Sequence, residues 1–237
     1  MKRKLIIAIV IAPLLLTALM VILGRTGEPG IRIMPLGDSI TQGYAYADSY
    51  RRPLWNLLKR SDQRIDFVGS MKMNYPNARP AHSDFDMDHE GHWGWRTDEV
   101  LAKIDGWVKK ASPDIVLLHL GTNDIFQKQD NNDTVAELRQ IILILRKHNP
   151  RVKVFLAQLI PLAGETADVQ VRKLNDLLPE MVQSITTDVS PVHIVNQYEG
   201  FDAFKDTDDG VHPNEFGIAK MAQRWQEALA DCLKSQR

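Results

Sequence analysis

From residue 31 onward the chain alternates short, mostly apolar runs with longer amphipathic stretches. The runs at 31–36, 65–68, 115–120, 152–159 and 192–195 are too short for helices and predict buried strands. Residues 48–60 place Leu54, Trp55, Leu57 and Leu58 at helical spacing, with Pro53 in the first turn. Residues 97–110 predict a helix with Thr97 as N-cap and Asp98 and Glu99 in its first turn. Further helices are predicted at 134–148, at 168–184 with Pro179 as a kink or break, and at 215–234. Strands separated by helices in this way predict an α/β domain over 31–237. Its expected form is a three-layer, flavodoxin-like fold on a five-stranded parallel sheet. The stretch 69–96 is irregular and long for a connector, which points to function.

The first 30 residues follow a different pattern. A basic head at 1–4 precedes 19 uncharged residues, 5–23, interrupted only by Pro13 and Thr17. That length suits a bilayer span, so 1–24 reads as a signal anchor or a signal peptide and 25–30 as a linker. Either reading makes the domain extracytoplasmic: membrane-anchored, or secreted if the segment is cleaved. The 237 residues fit one sizeable domain, and 44% hydrophobic with 25% charged content is ordinary for a globular chain. A net charge of −1 leaves no excess of cations for phosphates, which argues against nucleic acid. The single cysteine, Cys232, excludes an intrachain disulfide and a cysteine-based metal site. The chain is expected to act as a monomer.

The candidate chemistry sits where strands end. Ser39, in Gly-Asp-Ser after the first run, falls at the rim where open α/β sheets bind ligands, at the start of a helix. Taken alone, this is equally a helix N-cap. A nucleophilic serine needs a base, an orienting carboxylate and oxyanion donors. His119 and His193 lie within strand runs and read as core histidines, and His148 ends a helix. His212, in Asp208-Asp209-Gly210-Val211-His212-Pro213, follows the last strand and returns to the rim of Ser39, with Asp209 placed to fold back onto it. Asn123, in Gly121-Thr-Asn-Asp124, and Gly94, in Trp93-Gly94-Trp95, are candidate oxyanion donors. Trp93, Trp95, Asp38 and the tyrosines Tyr44 and Tyr46 are candidate substrate contacts. The alternating acids at 84–90 lack the glycine and closing glutamate of a calcium loop and read as a solvated acidic stretch.

Gly-Asp-Ser-Ile-Thr, the glycine loop, Gly-Thr-Asn-Asp and Asp-Gly-Val-His-Pro, in this order and spacing, resemble the four blocks of the SGNH (GDSL-type) hydrolases. The loop 89–97 is similar to that of the acetylxylan-esterase-like branch of the carbohydrate esterases. The resemblance implies Ser39 as nucleophile, Asp209 and His212 as the rest of a triad, and Ser39, Gly94 and Asn123 as oxyanion donors. It implies a serine esterase for O-acyl esters, O-acetyl on carbohydrate first, acting on a small-molecule or oligosaccharide ester with no cofactor and no metal. The alternatives are a lysophospholipase or thioesterase on the same fold, or a non-catalytic carbohydrate-binding protein.

Overall fold

A computed structural model describes residues 30–61 and 63–234. The expected anchor at 1–24 and most of the linker lie outside these residues, and among the described residues no helix is long and apolar enough to cross a membrane.

Strands β1 (Ile31–Gly37), β2 (Ile65–Phe67), β3 (Glu90–Gly91), β4 (Ile115–His119), β5 (Lys153–Ala157) and β6 (Val192–Val195) form one parallel sheet. The main path runs β2-β1-β4-β5-β6. β3 is a sixth strand that the apolar pattern does not announce. It pairs Glu90 and Gly91 with Leu36 and Gly37, on the β1 edge that β2 occupies lower down. The helices, in chain order, are α1 (Ser39–Gln42), α2 (Arg51–Leu58), α3 (Thr97–Leu101), α4 (Ile104–Ala111), α5 (Thr122–Phe126), α6 (Asn131–His148), α7 (Glu165–Ile185) and α8 (Glu215–Lys234).

Successive strand side chains point to opposite faces, and both faces are covered. Met34, Leu36, Val116, Leu118, Val154 and Leu156 pack in one cluster with buried residues of α3, α4, α6 and α7. Ile33, Ile115, Leu117 and Phe155 pack with residues of α2 and α8, among them the fully buried Trp225. This is the three-layer arrangement that the alternating pattern predicts.

Four local expectations are corrected. The helix expected over 97–110 is two helices, a break hidden by Val100, Ile104 and Val108, which keep an unbroken apolar spacing of four. Thr97 is the first helical residue and Arg96 the cap, because the Thr97 hydroxyl is turned inward to buried carboxylates. Helix α7 runs through Pro179 to Ile185 without a break. His193, expected in the core, lies on the edge strand β6 and is exposed.

Candidate active site

The strands point their C-terminal ends to one rim, and β1 delivers Ser39 to it. A Cβ on Gly37 would lie 2.2 Å from the His119 carbonyl oxygen, so only glycine lets β1 and β4 close here. Asp38, not Ser39, caps α1: its carboxylate accepts from the Ile40 N–H at 3.0 Å. This frees the Ser39 hydroxyl for another partner.

That partner comes from the loop after β6. Gly210 holds φ +85°, a conformation open to glycine, and folds the loop back on itself. Asp209 accepts from the backbone N–H groups of Val211 and His212 at 3.0 and 2.7 Å, and its other oxygen is 2.7 Å from His212 Nδ1. With Nδ1–H donating to the carboxylate, Nε2 is left as an acceptor, and it lies 3.0 Å from Ser39 Oγ. Three residues that are up to 173 positions apart thus form one hydrogen-bonded line. Burial pushes the Asp209 carboxyl up, but the bonds from the His212 backbone and ring outweigh it, so the net shift is downward.

The oxyanion candidates lie on neighbouring segments, α5 and the loop before α3. Asn123 sits in α5, and its amide donates to the Trp95 carbonyl at 2.9 Å, with its second proton still to give. Gly91 N–H donates to His89 Nδ1 at 3.0 Å, whereas a Cβ on Gly94, at φ +79°, would meet nothing within 4 Å. A buried polar contact ties α5 to the start of α3. Asp124 accepts from the Thr97 backbone N–H and hydroxyl, and that hydroxyl also lies 2.5 Å from Glu137. Burial pushes the Asp124 carboxyl up.

Beside Ser39 and His212 lies a cavity of about 60 Å³, bounded by Tyr44, Tyr50, Ile218 and Met221. A larger hollow, about 920 Å³ between α5 and α7, contains none of the three aligned residues.

The GDSL-like lipase/acylhydrolase family model matches residues 36–220, which span Ser39, Gly94, Asn123, Asp209 and His212. The chain belongs to this family. It is 31% identical over 228 residues to a multidomain esterase of Ruminococcus flavefaciens, covering 86% of this chain and 29% of that protein's length. A carbohydrate esterase family 3 structure from Talaromyces cellulolyticus superposes with TM-score 0.77 at 34% identity, over 86% of this chain and 99% of that one. The structure of an acetyl esterase mutant with an acetate ion gives 0.76 at 33% identity, over 87% and 100%. The domain has the SGNH hydrolase fold, and the chain spans less than a third of that multidomain esterase.

Several residues of this acylhydrolase stand where the sequence did not put them. Trp93, expected to face a sugar, is already engaged: its indole stacks on His212 at 4.7 Å and on Tyr75 at 4.8 Å, with Tyr44 at 5.6 Å. Trp95, also expected at the substrate, stacks on His92 at 4.6 Å and packs against the core under α4. Asp38, the third expected contact, is enclosed by its capping role and reaches no solvent. The acids at 84–90 are not a free solvated stretch. Asp84 binds Arg52 at 2.7 Å, Asp88 binds Lys72 at 2.8 Å, and Asp86 accepts from the Phe67 N–H at 3.0 Å. Among the described residues no group of three or more His, Cys, Asp or Glu is arranged to hold a metal ion.

Sequence reading missed Arg51. It is fully buried, and its guanidinium donates to the carbonyls of Thr41, Gln42 and Met87, to Ser49 Oγ and to Asn74 Oδ1 at 2.8–3.0 Å. Asn74 in turn donates to the Tyr44 and Ala47 carbonyls. One side chain thus rivets the helix of Ser39 to the long loop. One of two adjacent arginines at the start of an amphipathic helix carries no signal of this.

Two buried groups at the ends of β1 and β4 respond oppositely to pH. Burial pushes the Asp38 carboxyl up to about 6 and pulls the His119 imidazole down to about 4. Between these values the folded chain keeps a proton on Asp38 that the unfolded chain has lost, so that contribution declines as pH rises. His119 does the reverse: below its ordinary range the unfolded chain gains a proton that the folded chain refuses, so stability is lost as pH falls. Asp38→Asn keeps the capping oxygen and removes only the first effect. Its melting temperature should exceed the wild type's at pH 7, with the advantage gone by pH 4. An offset that is the same at both pH values would refute the assignment.

Proposed function

We propose that this acylhydrolase removes O-acetyl groups from carbohydrates through Ser39, His212 and Asp209. His212 takes the hydroxyl proton as Ser39 Oγ bonds to the ester carbonyl, and Asp209 stabilises the imidazolium. The carbonyl electron pair moves onto the oxygen, which the Ser39 and Gly94 N–H groups and the Asn123 amide receive. The C–O bond to the sugar then breaks, the sugar oxygen takes the proton from His212, and acetyl stays on Ser39. Water repeats the sequence, giving its proton to His212 and its oxygen to the acetyl carbon, and acetate leaves.

The observation that carries the acetyl reading is the 60 Å³ cavity against Ser39 and His212. A space this small suits the methyl and carbonyl of an acetyl group. Its boundary contains no Lys or Arg, so the phosphate of a lysophospholipid would meet no counter-charge. The carbohydrate esterases among the structural relatives support a sugar as the alcohol.

On p-nitrophenyl esters the rate should fall steeply from acetate to butyrate to octanoate; octanoate preference would replace this reading with the lipid one. Asn123→Ala should lower kcat on the acetate by about 10²–10³ with KM little changed. A kcat within threefold or so of wild type would remove Asn123 from the oxyanion site.

A further inference from the structure

The serine mechanism constrains where the alcohol half of the ester lies. The leaving oxygen takes its proton from His212, so the group it carries stands on the His212 side of Ser39. What the protein presents there is a set of aromatic rings. Trp93 lies against His212, and Tyr75 and Tyr44 lie against Trp93. Trp93 is half-buried, but Tyr44 and Tyr75 are 56% and 42% exposed. Tyr44 also bounds the cavity beside Ser39, so it stands at that cavity's mouth.

The backbone that carries these two rings is held in place. Tyr75 N–H donates to the Gly43 carbonyl at 2.9 Å, and Asn74, itself fixed by Arg51, donates to the Tyr44 carbonyl at 2.9 Å. A platform ordered before binding loses little entropy when a ligand arrives. We propose that Tyr44 and Tyr75 form the binding platform for the sugar ring that carries the acetyl group, with Trp93 as the buttress between them and His212. The inference rests on the deacetylation reading above and names the residues that read its alcohol half. A sugar suits this surface because its C–H faces lie on aromatic rings while its hydroxyls stay in water, and the platform is open. An alkyl alcohol would need an enclosed apolar groove instead.

The test holds the acyl group constant and varies the alcohol. The full-length chain and its Y44A, Y75A, Y44F and Y75F variants are assayed on glucose pentaacetate, ethyl acetate and dodecyl acetate by proton release. The ratio of kcat/KM on the sugar to that on ethyl acetate should fall about tenfold in each alanine variant, mainly through KM. In the phenylalanine variants, which keep the ring, it should stay within about twofold. Equal losses on sugar and ethyl acetate would overturn the proposal, because the rings would then only prop Trp93 against His212. A selective loss on dodecyl acetate would also overturn it in favour of an alkyl alcohol. A wild-type chain that cleaves ethyl acetate and leaves the sugar acetate intact would instead overturn the deacetylation reading itself.

Discussion

Replacing Ser39 with alanine should lower kcat on p-nitrophenyl acetate by about 10⁶, with substrate binding nearly intact. Ser39 Oγ is 3.0 Å from His212 Nε2, and His212 is held 2.7 Å from Asp209, so the line has one nucleophile and no spare. The serine is small and lies at the head of a four-residue helix capped by Asp38, so alanine removes the oxygen without disturbing the fold. His212→Ala should cost a comparable factor, and the double variant scarcely more, because a nucleophile and its base act as one unit. Single-turnover assays on the purified chain measure all three. Losses that multiply in the double variant would mean that Ser39 and His212 act separately, and the mechanism above would fail.

Arg51→Met should be the most destabilising single change on the active face. It leaves three carbonyls, a serine hydroxyl and an asparagine oxygen without their shared donor in a fully buried setting. Burial already pulls the guanidinium down to about 10, a sign of how little water reaches it. Bonds to a charged group are worth about 1.5–3 kcal/mol each, and they do not add, so a total of about 4 kcal/mol is expected. For a domain of this size that corresponds to a melting temperature lower by about 8–16 °C. Methionine keeps the volume of the stem, so the loss reports the hydrogen bonds rather than a cavity. A shift under about 3 °C in thermal unfolding would show that the loops hold together without Arg51.

The parts of this protein that were legible in its sequence share one property: they are local. Five strands stand where five apolar runs stand, because a strand covered on both faces must be apolar along its length. Ser39 and His212, which meet in the fold, were each read from a turn at a strand end, where glycine and Asx residues mark a change of direction. The parts that were missed depend on distant partners. β3 is two residues long and has no apolar pattern; it is a strand only because Gly37 and Leu36 lie beside it. Thr97 looked like a cap because its sequence neighbours are acidic, but its hydroxyl meets Asp124 and Glu137 from other elements. Trp93 and Trp95 stood as candidate substrate contacts because no local pattern records which rings a loop tryptophan will meet. Their partners, Tyr75, His212, His92 and Trp107, are elsewhere in the chain or folded back upon it.

By itself, then, the sequence determined the layered α/β fold, the order of its strands along the chain and the residue types brought to the rim. Those follow from hydrophobic period and turn chemistry within windows of about a dozen residues. The tertiary structure alone decided which side chains meet: the line from Asp209 through His212 to Ser39, the size of the space beside it, and the role of Arg51. It also decided that tyrosines rather than tryptophans are the rings left exposed. A hydrogen bond or a stacking contact forms between surfaces that folding brings within a few ångströms, and no local pattern records which surfaces those will be.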